Sequence, residues 1–522
     1  DHKTSSFALP FDFLTLHFWR HESTSAYQRA SWHLDIMVTT MFVGVWVACL
    51  LSAVRHADAQ IKVMTPQWLV SQFGSNRGRV EGSTATFGAP FYGDRVLGRL
   101  VYGDSLKNHS HCRADDYEVP EPSTTKKGES GYDQVRLINI VMVRRGKCSF
   151  TTKVKVAYEK GAHAVIIVDR EDSDLTSKDM SNIIVADDGY GDKIHIPSVL
   201  ISKDDGNKLI EAVKRSQVII ELAWDLPTDH VVTLDMWMSA ASIESMKFLK
   251  EFAPKRRTLN EVMIFNPHYA VFSMDGSDPA VYSGLCSDET GRFCAEDPDG
   301  NGKISGRDVL DEDVRELCIH ESTKVARTSL QDLKSGKGLV EYAAKYWDYM
   351  EIFLDRCPLD AVNPQDRFGE VCSLKVMRQV GINPDEIMQC VMSTKEEKLK
   401  HERENPAWSP RAIRINGWRY SGMLNADLLT RAVCSGFVTS PDECDDLIKP
   451  RDYFKPFIVQ PQDGVKFTTM LSWLAGTAVL GFGCMLLYKR YLKKEMRSTL
   501  REEVMLEVQA QMGEYAQLKG SG

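Results

Sequence analysis

Short apolar runs separated by turn residues dominate the chain from Gln60 to about Leu226. Val96–Tyr102, Leu137–Val143, Ala164–Val168, Ser198–Ile201 and Val218–Leu222 each read as a strand bounded by polar or turn-forming residues. Between them, Thr151 to Lys160 places Val154, Ala157 and Tyr158 at helical spacing and stops at Gly161, a residue suited to the left-handed turn that closes a helix. Asp204 to Lys214 has the same character. The mixture predicts an α+β domain with a large β component, and the polar, acidic stretches 103–133 and 170–195 read as solvated loops. Farther along, Val231–Met236 reads as a strand. Ile243–Phe252 follows as a helix that turns Met246, Leu249 and Phe252 to one side.

Two longer apolar runs have a different meaning. Met41–Val54 carries no charge and is followed by Ala57-Asp58-Ala59, the small-x-small pattern accepted by signal peptidase. Residues 1–59 therefore read as an upstream segment and a signal peptide cut after Ala59. The first methionine is Met37, so residues 1–36 stand either as translated upstream sequence or as a fragment artefact. The run is short for a span of about 20 residues, which weighs against an uncleaved anchor. Phe467–Tyr488 is also uncharged and suits one transmembrane helix. Lys489, Arg490, Lys493 and Lys494 follow at once and mark the cytoplasmic side. Together the two runs predict a type I topology, with a juxtamembrane linker over 451–466 and a cytoplasmic tail over 489–522.

Composition narrows the classes. The formal charge is −8, from 64 basic and 72 acidic residues, so no basic excess is available to neutralise phosphates and no nucleic-acid partner is expected. Ten of the 12 cysteines lie between the two apolar runs, an even number that reads as disulfides in an oxidising lumen. Asn108-His109-Ser110 is the one glycosylation sequon, with Asn108 as acceptor.

Four stretches carry a family resemblance: Ala89-Pro90-Phe91-Tyr92-Gly93, Arg145-Gly146-Lys147-Cys148-Ser149-Phe150, Gly161-Ala162-His163-Ala164-Val165-Ile166 and Ile196-Pro197-Ser198. In combination they resemble a protease-associated (PA) domain, placed at 60–228. Phe265-Asn266-Pro267-His268-Tyr269, Trp347-Asp348-Tyr349 before Arg356-Cys357-Pro358, Gly381-Ile382 before Cys390, and Cys434-Ser435-Gly436-Phe437 extend the likeness over 229–450. They resemble the central region of plant-type vacuolar sorting receptors. The resemblance implies a thioredoxin-like domain with a disulfide-bonded helical insertion, then one transmembrane helix. It also implies the pairing of Cys112 with Cys148. The stretch between Cys444 and Phe467 holds no cysteine, so the family's EGF-like repeats have no counterpart there.

Thiol chemistry at the thioredoxin-type strand–helix junction requires a low-pKa cysteine and a resolving partner. The junction here reads Trp237-Met238-Ser239-Ala240-Ala241-Ser242, without a thiol. Pro410, ahead of Ile413–Ile415, is either the cis-proline that such folds set opposite the junction or an ordinary loop proline.

Three motifs bear on binding. Asp297, Asp299, Asn301, Lys303 (through its carbonyl) and Asp308 fall at calcium-loop spacing with Gly302 at the turn, and predict Ca2+ as a cofactor. Asp308 stands where glutamate is usual. Val309 onward reads as the exiting helix. The alternative is an acidic turn between disulfide-bonded helices. Arg145, at a strand exit beside Cys148, can form paired hydrogen bonds to carboxylates or peptide carbonyls. By resemblance it lies in a cargo-peptide site, with Ser149 where the family has tyrosine. The bland alternative is an arginine that caps the helix or pairs with an acidic loop. In the tail, Tyr515-Ala516-Gln517-Leu518 has the form Y-x-x-Φ, in which Tyr515 and Leu518 would enter two pockets of a clathrin adaptor. The charge runs Lys395–Glu404 and Lys255–Arg257 suggest no binding role.

The resulting expectation is a non-enzymatic cargo receptor, a single-pass type I protein of Golgi, prevacuolar or endosomal membranes that sorts soluble proteins. The competing reading is a non-catalytic lumenal folding factor or structural membrane protein. Neither H-E-x-x-H nor G-x-S-x-G occurs in the chain, and the tail holds neither Cys nor His.

Overall fold

In a computed structural model, the strands expected after Gln60 assemble into one mixed sheet. The structure describes residues 60–519 other than 75–76, 104–109, 120–136, 278–283, 301, 330–331, 333–337 and 458–466. At 60, 467–471 and 514–519 it describes the backbone alone. The expected signal peptide and Asn108 lie outside these residues.

Strands β1 (Gln60–Thr65), β2 (Arg79–Val80), β3 (Gly82–Thr84), β4 (Arg95–Tyr102), β5 (Ile138–Arg144), β6 (Ala164–Val168), β7 (Ser198–Ile201) and β8 (Val218–Ala223) stand in the order β2-β1-β8-β4-β5-β6-β7-β3. β4 to β7 run parallel, and the other pairings are antiparallel. The parallel centre explains why β5, β6 and β7 read as unbroken apolar runs, since both of their faces are covered. Helix α1 (Gln67–Gln72) follows β1, α2 (Phe150–Glu159) joins β5 to β6, and α4 (Lys203–Arg215) joins β7 to β8. The stretch 170–195 departs from a solvated loop. It contains α3 (Ser177–Met180) and buries Met180 and Val185 against Ala85, Phe87 and Leu200.

The second sheet has the order β10-β9-β13-β14, from β9 (Val232–Met238), β10 (Met263–Tyr269), β13 (Ile413–Ile415) and β14 (Trp418–Arg419). β9 and β10 are parallel and joined by α5 (Ile243–Thr258). β13 runs antiparallel to β9 and turns into β14, and α10 (Ala426–Ser435) follows. This β-α-β and β-β-α arrangement has a thioredoxin layout. Within the described residues, a helical insertion separates β10 from β13: α6 (Gly306–Ser322), α7 (Ala344–Arg356), α8 (Glu370–Gln379) and α9 (Pro384–Glu404), with a short antiparallel pair, β11 (Val325–Ala326) and β12 (Glu341–Tyr342), between α6 and α7. Trp347, Tyr346, Phe353 and Met350 of α7 are buried, and their i, i+3, i+4 spacing makes one apolar face that packs on α5.

All ten described cysteines outside the last helix are paired. Cys112–Cys148 joins the segment after β4 to the turn before α2, the pair that the resemblance implies. Cys318–Cys390 ties α6 to α9, Cys357–Cys372 ties α7 to α8, Cys286–Cys294 closes a short hairpin, and Cys434–Cys444 joins α10 to α11 (Asp442–Leu447). In the chain-entropy account, Cys318–Cys390 alone closes a loop long enough to contribute about 4 kcal/mol.

Three local details follow from the fold. The Ser409–Pro410 bond is trans, and among the described residues the cis peptide is Thr65–Pro66. Pro410 is an ordinary turn residue, because Ala412 N–H donates to Ser409 O (3.1 Å) and Arg411 N–H to Ser409 Oγ (3.2 Å). Lys395–Glu404 is the end of α9 rather than a wholly solvated segment, with Leu399 and Glu402 buried. Arg256 is buried and donates to Leu259 O and Met263 O, so it closes the end of α5.

Residues 458–522 form a separate unit containing α12 (Phe467–Lys519). Among the described residues no helix is long and apolar enough to cross a membrane. The expected span begins at Phe467, and the side chains of 467–471 lie outside those residues.

Candidate functional site

The strand-to-helix turn in the PA-type domain holds the residues singled out for binding. β5 ends at Arg144, and the chain turns through Gly146 at φ 119° and Lys147 at φ 65° before Cys148 fixes it by its disulfide. Glycine is at home in this left-handed region, whereas Lys147 occupies it at a cost. Ser149 then caps α2, its hydroxyl accepting from Thr152 N–H at 3.3 Å. Thr151, two residues on, donates to Asp188 Oδ2 at 2.6 Å.

Arg145 sits between solvent and core. Its backbone N–H donates to Val168 O at 2.8 Å, continuing the β5–β6 ladder. Nη1 donates to Asp169 Oδ1 at 3.0 Å, and the guanidinium carbon lies 5.4 Å from the Phe150 ring centroid. Asp169 is fully buried and also accepts from Ser173 Oγ at 2.5 Å. About a third of the Arg145 side chain is exposed (32%), so one edge can still meet a ligand while the other is held. Arg145 and Ser149 thus flank the same turn, one anchored by a buried carboxylate and the other committed to a helix cap.

The turn is braced from below. Neutral His111 is buried, with Nε2–H directed at Gly103 O (2.6 Å) and Nδ1 accepting from Arg144 N–H (3.3 Å). Lys153 reaches Ser110 O and the Cys112 sulfur, and burial pulls its ammonium down to about 8.

A second concavity, of about 680 Å³, lies where the edge strands β3 and β14 approach each other. Tyr92, Trp224, Trp408, Trp418 and Arg419 line it, and Lys178 and Asp225 stand at its polar margin. Arg419 donates to Ser83 Oγ at 2.9 Å, Ser421 N–H donates to Tyr92 Oη at 2.9 Å, and Tyr92 stacks on Tyr420 at 5.3 Å. These contacts hold the two sheets together around the cleft. The cleft was not found from sequence, because its walls come from segments about three hundred residues apart. Its local signal is the interleaving of Trp408, Arg411, Arg414, Trp418 and Arg419.

In the calcium-type loop, Asp297 Oδ1 accepts from Asp299 N–H (3.0 Å), and Asp299 Oδ2 accepts from Lys303 N–H (2.9 Å) and Ile304 N–H (3.3 Å). Asp308 Oδ2 closes a capping box with Ser305 at the start of α6. Each carboxylate thus gives one oxygen to the turn. Among the described residues the carboxylates of Asp297, Asp299 and Asp308 do not gather with one oxygen of each within 4.8 Å of the others, so the loop is held by its own backbone hydrogen bonds. Asn301 lies outside the described residues. Tyr515 and Leu518 fall in the helical backbone of α12, and their side chains lie outside the described residues.

The thioredoxin-type junction has no thiol to work with. Ala240 N–H donates instead to Asp313 Oδ1 at 2.9 Å, a buried carboxylate of α6. Asp313 Oδ2 is buried without a partner, and burial, with Glu312, Glu402 and Asp311 adding to it, pushes the carboxyl well above the usual carboxylate range.

A PA-type sheet and a thioredoxin layout without a junction thiol, carrying a disulfide-bonded helical insertion, are combined in one chain. Known proteins make the class specific. The family model of the vacuolar sorting receptor thioredoxin-like domain matches residues 232–434, and that of the PA domain matches 96–209. Vacuolar-sorting receptor 6 of Arabidopsis thaliana is 27% identical over 401 residues, covering 70% of this chain and 58% of that protein. Vacuolar-sorting receptor 1 of Pisum sativum is 27% identical over 400 residues, covering 70% and 59%. Among solved structures, an aminopeptidase from Aneurinibacillus sp. strain AM-1 matches 32% of this chain and 30% of its own at 21% identity, with a TM-score of 0.19, too low to carry an argument. The chain is thus similar to the vacuolar sorting receptors over about 70% of its length, and carries the thioredoxin-like domain described for them together with a PA domain. It spans less than two thirds of the length of the curated relatives named.

Proposed function

We propose that the protein is a single-pass type I membrane receptor that binds soluble cargo proteins in the Golgi lumen and sorts them toward a vacuole- or lysosome-like compartment. The observation that carries this reading is the coupling of a PA domain to the vacuolar sorting receptor thioredoxin-like domain in one disulfide-bonded body. The thiol-free junction supports a binding role over an enzymatic one. Arg145 contacts cargo through its exposed edge, and Ser149, where the family has tyrosine, alters the sequence preference. The uncharged first part of α12 is the membrane span. Trp473, Leu474, Val479, Leu480, Phe482 and Leu487 leave a large apolar helix surface bare, which lipid would cover. Lys489 and Arg490 follow on the cytosolic side, where Tyr515 and Leu518 recruit a clathrin adaptor. That mode of recognition needs an extended backbone, so the end of α12 must unwind locally to be read.

Tyr515→Ala with Leu518→Ala tests the sorting role in cells. The receptor reading predicts a shift of steady-state location toward the cell surface or the terminal compartment. An unchanged distribution would favour a resident folding factor or structural protein. Calcium is a separate element of the proposal, held by Asp297, Asp299, Asn301, Asp308 and the Lys303 carbonyl. Calorimetric titration should give a calcium heat for the full chain that is lost in Asp297→Ala. Equal heats for the two proteins would remove the cation from the account.

A further inference from the structure

A second set of ligand atoms converges where the end of β10 meets the end of α9. His268 is the penultimate residue of β10, and His401 and Glu402 lie in the last turn of α9. His268 Nδ1 is 3.2 Å from Glu402 Oε2, and His401 Nδ1 is 3.3 Å from Glu402 Oε1. One donor atom from each of the three residues lies within 4.8 Å of the others. Metal–ligand bonds of about 2.0–2.1 Å at tetrahedral angles set neighbouring ligand atoms about 3.4 Å apart. Each nitrogen–oxygen separation is close to one edge of a zinc tetrahedron; the two imidazoles meet different oxygens of Glu402, so a small carboxylate rotation brings both onto one ion.

The surroundings are those of a built site. Glu402 is buried, yet among the described residues its ion-pairing partners are only these two imidazoles. Arg403, next in sequence, turns away to Asp275 and to Arg292 O, and the Arg414 guanidinium lies over the Trp237 ring. A buried carboxylate calls for a positive partner, which a divalent cation bound by these three side chains supplies. The orientation of the ligands is also fixed from outside. Tyr269 N–H donates to Glu402 Oε2 at 2.9 Å, Trp237 stacks on His268 at 4.5 Å and 13°, and Trp237 Nε1–H donates to Asn405 O just beyond α9. His401 is exposed, so an ion has a path in and water can complete the coordination.

We propose that His268, His401 and Glu402 form a zinc-binding site that clamps the end of β10 to the end of α9. Two nitrogen donors and one oxygen select zinc or a similar borderline cation over calcium or magnesium, which seek all-oxygen shells. The site is chemically distinct from the Asp297 loop, and it stands whether or not the chain is a receptor.

The test is a zinc titration of the full chain, free of any histidine tag, against a competing chromogenic chelator. The wild-type chain should take one zinc per chain, and calcium at millimolar concentration should not displace it. His268→Ala and His401→Ala should each weaken binding by about tenfold or more, while Asp297→Ala should leave it unchanged. Because His401 is exposed, His401→Ala should keep the far-UV spectrum of the parent, so lost binding cannot be ascribed to unfolding. Absence of a competitive zinc site, or wild-type affinity in both histidine variants, would overturn the assignment.

Discussion

Replacing Arg145 by alanine would remove more than a ligand contact. Asp169 is fully buried and would keep Ser173 Oγ as its side-chain partner while losing its counter-ion. Breaking a fully buried pair by removing one partner costs roughly 3–5 kcal/mol. Here the arginine is 32% exposed, so water partly replaces it, and about 2 kcal/mol is the expected local loss. Asp169→Asn retains an acceptor for Arg145 and the bond to Ser173, so it should cost about 1 kcal/mol. The Arg145→Ala, Asp169→Asn pair should cost less than the sum, with a coupling of about 1–2 kcal/mol. Amide hydrogen exchange across β5, β6 and α2 reads local opening directly, and about 2 kcal/mol corresponds to roughly 30-fold faster exchange in Arg145→Ala. Unchanged exchange in Arg145→Ala, or strict additivity in the double variant, would refute the reasoning. The Arg145–Asp169 pair would then be incidental. The same series is needed to interpret any loss of cargo binding, because only Arg145→Ala removes the exposed edge of the guanidinium.

Other consequences follow from buried charge. The Asp313 carboxyl is held above its ordinary range, so above that range the unfolded chain binds fewer protons than the folded one, and stability falls as pH rises toward the raised value. Asp313→Asn keeps the acceptor for Ala240 N–H and should flatten that slope, with a gain over wild type in urea unfolding that grows from pH 5 to pH 7.5. A constant difference would contradict it. Glu316, raised for the same reason, should leave part of the slope in place. Arg451 is half-buried against Phe91 and donates to Ala89 O and Pro90 O, both at 2.8 Å, and desolvation lowers it to about 10. Arg451→Ala should cost about 2–4 kcal/mol by stranding two carbonyls, and Arg451→Lys should recover little, because an ammonium cannot match the fork. Full rescue by lysine would count against this contact. A disulfide-reductase assay should detect no activity above background, since Ser239-Ala240-Ala241-Ser242 offers no thiol.

The strands of the PA-type sheet were legible because a parallel strand buried on both faces is an unbroken apolar run, and β6 and β7 fall where that pattern places them. Ser149 was legible as a residue but not as a helix cap, since capping depends on where α2 begins. The acidic stretch of α6 reads in sequence like a solvated face, yet Glu312, Asp313 and Glu316 are buried. What encloses them is the arrival of Tyr269, Tyr349 and Ser373 from other segments, as in the bonds from Tyr349 Oη and Ser373 Oγ to Glu312 Oε1. Pro410 shows the opposite case, a residue matching a fold-level expectation whose local hydrogen bonds make a plain turn. Long-range encounters of this kind leave no periodicity in the chain, and the cleft beside Trp408 and Trp418 escaped sequence reading for the same reason.

The central claim is that the lumenal body binds soluble cargo through the Arg145 turn. Its most direct measurement is affinity capture by the purified full chain from a secretory-pathway extract, with Arg145→Ala and Asp169→Asn run beside the wild type. The account predicts that soluble hydrolases or storage proteins are retained by the wild type and by Asp169→Asn, and are released from Arg145→Ala. Equal retention by all three proteins, or enrichment of unfolded chains alone, would contradict it.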